Sequence, residues 1–122
     1  MSSCPCGGKN YASCCEAVHQ QRNAADAKIL MRSRYSAYVL KLEDYLLATW
    51  HASTRPAQLD LMTDESCWLG LDVKSFMPLS DNSARVEFVA RYKIAGRVHR
   101  LHERSRFVYE NGAWFYVEGN LL

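Results

Sequence analysis

ARVEFVARYKIAGRVHRLHERSRFVYENGAWFYVE, residues 84–118, is the stretch that decides the fold. Apolar and polar side chains alternate along it with a period of two, the repeat of a strand with one face on a core and the other in water. Two interruptions stand out, Ala95-Gly96-Arg97 and Asn111-Gly112. Asn-Gly readily adopts the positive φ angles of a tight type I′ turn, so the breaks predict hairpins joining strands over 84–95, 98–109 and 113–118. Asp81-Asn82-Ser83 sets off one more strand upstream, over 66–77.

Ahead of these strands the period changes. From about Asn23, the residues Ala27, Leu30, Met31, Arg34, Tyr35, Tyr38 and Leu42 follow three-to-four spacing, which predicts one long helix with an apolar stripe. A second short helix is expected over Glu43 to Trp50, offering Tyr45, Leu46 and Leu47 to the core. Ser53-Thr54-Arg55-Pro56 ends it, and Pro56 opens a short turn around Gln58 to Met62. Helices followed by four hairpin-joined strands define an α+β domain, with the helical layer on one face of an antiparallel sheet.

The chain has 122 residues, 48% of them apolar, enough for one domain with a small appendage. No run approaches the ~20 apolar residues of a bilayer-spanning helix. The start, MSSCPCGGKN, lacks the apolar segment of a secretory signal. The expected compartment is therefore the cytoplasm, with no membrane association. The net charge of +2 does not advertise a nucleic-acid binder, but seven basic residues lie between Arg85 and Arg106 against Glu87 and Glu103. They form either a partner-binding basic face or a solvated sheet face, the second being the default.

In a reducing compartment, clustered cysteines point to metal rather than to disulfides. Residues 1–15 hold Cys4, Cys6, Cys14 and Cys15 and almost no aliphatic side chain, so they need a staple. Two close thiolate pairs match the tetrahedral four-sulfur set that zinc prefers. Gly7 and Gly8 sit where the backbone must curl around the sulfurs. His19, just beyond a complete set of four thiolates, is expected to be a solvated helix histidine. Cys67 alternates with Leu69 and Leu71 and is expected to be a small buried hydrophobe.

Cys4, Pro5, Cys6, Gly7, Lys9, Tyr11, Cys14 and Cys15 resemble the SEC-C motif, with one residue fewer between Cys6 and Cys14 than is usual. That motif carries zinc in the C-terminal tail of the bacterial secretion motor ATPase, where it contacts a secretory chaperone. Further stretches are similar to the YchJ-like bacterial proteins. They are Met31 to Tyr38, Tyr45 to His51 running on to Arg55-Pro56, Val86 to Arg91, His102 to Phe107 and Trp114 to Gly119. This resemblance implies a SEC-C zinc motif over residues 1–18, then a cone domain resembling nuclear transport factor 2 over residues 23–122. The cone is a curved sheet wrapped around a helical layer, often with a pocket between them. The family brings no established biochemical activity.

Period two places Leu101, Glu103, Ser105 and Phe107 on one face of their strand, and the apolar pair turns that face inward. A carboxylate carried inside needs a partner, and Arg32 or Arg34 would serve. Glu103 is then either a structural ion pair or a general acid or base, the ion pair being preferred. His51, at a helix end, is a pocket base or a capping residue. Trp68, with Trp114, Tyr35 and Tyr38, lines a ligand pocket or fills the core. Neither a Ser-His-Asp or Cys-His pairing nor a phosphate-binding glycine loop is present. The favoured function is a non-enzymatic zinc module contacting a protein or nucleic-acid partner, the ribosome included. The alternative is a small-molecule carrier or enzyme using Glu103, Arg34, His51 and Trp68 in the cone pocket.

Overall fold

The computed structural model describes residues 3–122; Met1 and Ser2, counted in the expected 1–18 motif, lie outside the described residues. Three helices, α1 (Cys15–Gln21), α2 (Ala27–Leu40) and α3 (Glu43–Ala48), precede four strands, β1 (Cys67–Ser80), β2 (Ser83–Ile94), β3 (Arg97–Glu110) and β4 (Ala113–Leu121). The strands form one antiparallel meander in the order β1-β2-β3-β4. The architecture is the expected α+β one. No helix among the described residues is long and apolar enough to cross a membrane.

Helix α2 is the keel. It begins at Ala27 rather than near Asn23 because the Asp26 carboxylate accepts the Ile29 N–H at 2.8 Å and caps the first turn. Lys41, in the left-handed region at φ 59°, ends it. Leu30, Met31 and Tyr35 lie on Val86, Phe88, Ala90 and Phe107 of the sheet. Ala37 packs the other way, against Tyr45, Leu46 and Leu61. Helix α3 is fastened to the sheet by β4, with the Tyr116 N–H donating to Thr49 O at 2.9 Å and the His51 N–H to Tyr116 O at 2.7 Å.

The β2–β3 register pairs Val86 with Ser105, Phe88 with Glu103 and Ala90 with Leu101, so this row faces the helices, Glu103 included. The opposite row is charged: Arg85 beside Arg106, Glu87 beside Arg104, Arg91 beside Arg100. Asn111 and Gly112 take φ 54° and 81°, the expected left-handed hairpin. Ala95 and Gly96 make the same turn at φ 50° and 79°.

Three register shifts interrupt β1, between Trp68 and Gly70, Val73 and Ser75, and Pro78 and Ser80. Such bulges bend a strand and break its alternation. The first corrects the expectation for Cys67. With the extra residue at Leu69, Trp68 and Leu71 pack against the core while Cys67 and Leu69 are exposed.

Candidate metal centre and cone cavity

The cysteine segment owes its shape to two short turns. Cys4 N–H donates to Gly8 O and Gly7 N–H to Cys4 O, both at 3.0 Å, with Gly7 at φ 104°. A side chain at position 8 would start 2.9 Å from Cys14 Sγ, so Gly8 is required by close approach. A turn over Tyr11–Ser13, capped by Asn10, then delivers Cys14 and Cys15 to the start of α1. The Sγ atoms of Cys4, Cys6, Cys14 and Cys15 all lie within 4.8 Å of one another, a geometry able to hold a metal ion. Cys6 and Cys14 are separated by 3.6 Å and Cys14 and Cys15 by 4.0 Å. A tetrahedral ion with metal–sulfur bonds of about 2.3 Å needs sulfurs about 3.8 Å apart, so the donor set fits zinc in both chemistry and spacing.

The thiols influence one another's protonation. A hydrogen bond with Cys15 holds the Cys6 thiol down at about 4. Burial pushes Cys14 up to about 11, and the shared contact with Cys6 raises Cys15 further. Four thiolates so close together repel one another, and only a bound cation lets all four deprotonate.

Helix α2 supplies an outer layer that the cysteine spacing does not reveal. Ser36, fully buried, donates its hydroxyl to Cys15 Sγ at 3.2 Å and lies 3.6 Å from Cys4 Sγ. Arg32 donates to the Cys6 carbonyl at 3.4 Å, and its positive charge faces the Cys6 sulfur. His19 is half-buried and held at both ring nitrogens, not free in solvent as expected. Its Nε2–H donates to the Ser33 carbonyl at 2.7 Å, Nδ1 accepts from the Tyr11 hydroxyl at 2.7 Å, and the ring meets Tyr45 edge-on. Burial lowers its pKa and keeps the imidazole neutral. The sequence signal was Tyr11 eight residues ahead of His19, legible only once the turns fold them together. Cys4, Cys6 and Cys15 consequently belong to the same buried cluster as Leu30, Met31 and Tyr35.

Between α2 and the sheet lies a cavity of about 270 Å³ whose wall includes Arg34, Trp68, Glu103, Ser105, Tyr38 and Tyr116. It unites three of the four expected pocket residues. His51 is the exception, lying outside the wall. Its Nε2 meets the Glu110 carboxylate at 2.9 Å, its Nδ1 meets Ser53 at 2.7 Å, and it fixes the β3–β4 turn. Trp114 lies outside the wall and packs against the core, edge-to-face with Tyr109.

The expected Glu103–arginine ion pair does not form. Arg32 serves the cysteine segment. Arg34 Nη1 donates to Leu46 O and to Thr49 Oγ1, each at 2.8 Å, and its guanidinium lies over the rings of Tyr116 (4.6 Å) and Trp50 (5.0 Å). Glu103 accepts the Ser105 hydroxyl, and its carboxylate fills the space over Gly119, where any side chain would overlap it. Leu46 O, on α3, and Thr49, at the C-terminal end of that helix, hold Arg34 in place of the carboxylate.

Known proteins resemble this chain in sequence and in fold. A family model described as YchJ, middle NTF2-like domain, matches residues 26–119. A UPF0225 protein of Methylibium petroleiphilum is 54% identical over 119 residues, covering 97% of this chain and 88% of the relative. One from Bordetella parapertussis is 49% identical over 124 residues, covering 98% and 93%. The solution structure of a SEC-C motif containing protein from Rhodopseudomonas palustris matches with a TM-score of 0.87 and 36% identity, over 99% of each chain. The crystal structure of another, from Psychrobacter arcticus, matches at 0.84 and 28%, over 100% of this chain and 84% of that one. Sequence and fold agree: this chain belongs to the YchJ-like family of UPF0225 proteins.

Proposed function

We propose that the protein is a non-enzymatic zinc module that binds an anionic macromolecular partner, a nucleic acid, in the cytoplasm. In this reading residues 1–18 form the zinc motif, Cys4, Cys6, Cys14 and Cys15 being its ligands, and residues 23–122 form the partner-binding cone. The supporting observation is the outward face of the sheet, where Arg91 stands directly beside Arg100 and Arg85 beside Arg106. Like charges at paired positions oppose sheet formation. Glu87 engages His102 and Arg104, and Glu118 engages Arg106, while Arg85, Arg91 and Arg100 have no ion-pair partner among the described residues. A phosphate backbone laid across β2 and β3 would neutralise these pairs and release counterions.

The test is titration of a fluorescent single-stranded RNA at several salt concentrations. Wild-type affinity should fall steeply with salt, and Arg91→Ala with Arg100→Ala should reduce the slope by about 1.4, that is ~0.7 per lost phosphate contact. Salt-independent or undetectable binding sinks the reading. A second reading, a protein partner, is favoured by the open groove beside the metal centre, where Val18 and the 37% exposed Ile29 adjoin Cys14 and Cys15. Ile29→Asp abolishing capture of a partner that Arg91→Ala leaves intact would select it.

A further inference from the structure

The cavity between α2 and the sheet contains a charge arrangement that the zinc centre and the basic face do not use. Arg34 is only 3% exposed, and no carboxylate among the described residues forms an ion pair with it. Its hydrogen-bond partners, Leu46 O, Thr49 Oγ1 and the Tyr38 hydroxyl, are neutral. A buried cation is strongly favoured by a counter-charge, and Arg34 itself forms part of the cavity wall. The Glu103 carboxylate also lines the cavity, with one oxygen engaged by Ser105 and its place secured by the absence of a side chain at Gly119. Rings of Tyr35, Tyr38 and Trp68 and the apolar side chains of Met31 and Leu101 complete the wall. Tyr35 and Trp68 hold each other edge-to-face at 5.7 Å, which fixes the aromatic surface before any ligand arrives.

We infer that this cavity binds a small amphoteric aromatic carboxylate, its carboxylate facing Arg34 and an amino or hydroxyl donor facing Glu103. Three features select that class. Arg34 calls for an anion, and its planar guanidinium suits a carboxylate. Glu103, as a carboxylate, only accepts, so it favours a ligand that donates. The volume of about 270 Å³ lies just below the ~300–1,000 Å³ of drug-sized sites, which limits the occupant to roughly a single substituted ring. Binding here requires no reaction: the ligand's carboxylate gives Arg34 a counter-ion in direct contact, where Glu103 acts on it only from a distance, and the aromatic wall covers the ring.

The test uses the full-length, zinc-loaded chain and three probes, 4-aminobenzoate, benzoate and aniline, with heteronuclear NMR and titration calorimetry. The expected order is 4-aminobenzoate tightest, benzoate about tenfold weaker for want of the donor, and aniline weakest for want of the anion. The Trp68 indole and Leu101 amide signals should shift together. Glu103→Ala should make benzoate and 4-aminobenzoate bind equally, and Arg34→Lys should weaken both while leaving aniline unchanged. Should Arg34→Lys fail to fold, the order of the three probes on wild type still decides the matter. Equal binding of benzoate and aniline, shifts away from the cavity, or no binding at millimolar concentration would each overturn the inference.

Discussion

The cysteine segment and the cone cavity both concentrate polar chemistry, and they are organised in opposite ways. In the first, four donors close together in sequence converge on one point, within 4.8 Å, and are completed by Ser36 and Arg32 from α2. In the second, Arg34 and Glu103 come from elements far apart in sequence, share a wall and do not pair. A metal centre must satisfy every ligand at once, because unneutralised thiolates repel. A cavity can hold charges apart, because each is met locally by neutral groups. The lesson is that convergence marks a structural centre, whereas separated charges around a void mark a place for something else.

The largest expected effect falls on the metal centre. Purified protein should hold about one zinc per chain with an all-sulfur shell, and Cys15→Ser should release it, with a stability loss on the order of several kcal/mol. Metal analysis and X-ray absorption check the stoichiometry and shell. Amide spectra after chelation should lose dispersion for residues 4–21 and shift the α2 signals at Arg32 and Ser36, leaving β2 and β3 intact. Collapse of the whole spectrum would erase the distinction between the two regions.

Next comes Arg34. Arg34→Ala strands Leu46 O and Thr49 and opens a hole, which should cost about 3 kcal/mol or more by urea denaturation. Glu103→Ala should cost only about 1–2 kcal/mol, the loss of a partner for the buried Ser105 hydroxyl. In a double-mutant cycle their coupling should stay below about 1 kcal/mol; a larger value would restore a direct ion pair between them.

A third measurement sharpens the comparison from the metal side. Ser36→Ala leaves all four ligands in place but removes the hydroxyl on Cys15 Sγ, and zinc affinity should fall roughly 10-fold or more in a competition titration. No change would mean the hydroxyl is only filling space.

The fourth concerns the cavity and pH. Burial, aided by the Glu103 charge, pushes the Tyr116 phenol up to about 12. Its folded pKa is raised, so its contribution to stability is complete below the unfolded value near 10 and is lost as pH rises through about 12. Phenolate absorbance should show a tyrosine titrating in that range, and Glu103→Gln should move it down. An unchanged midpoint in that variant would separate Glu103 from the phenol.

The smallest effect lies in the sheet that walls the cavity. Ala95 sits at φ 50° where the matching turn has Asn111. Ala95→Asn should stabilise the protein by about 0.5 kcal/mol, measured by thermal unfolding.

The helix-then-strand order, the Asn111-Gly112 hairpin, the inward face of β3 and the cluster of four thiols were legible along the chain. Each rests on a local cause: a period of two or 3.6, a turn dihedral, or thiols spaced closely enough to meet at one point. The tertiary structure decided the rest. A bulge at Leu69, set by pairing with β2, turned Cys67 outward. His19 and Ser36 acquired their roles because the turned N-terminal segment packs on α2. Arg34 went to Leu46 and Thr49 rather than to Glu103, a matter of distance that no spacing along the chain encodes.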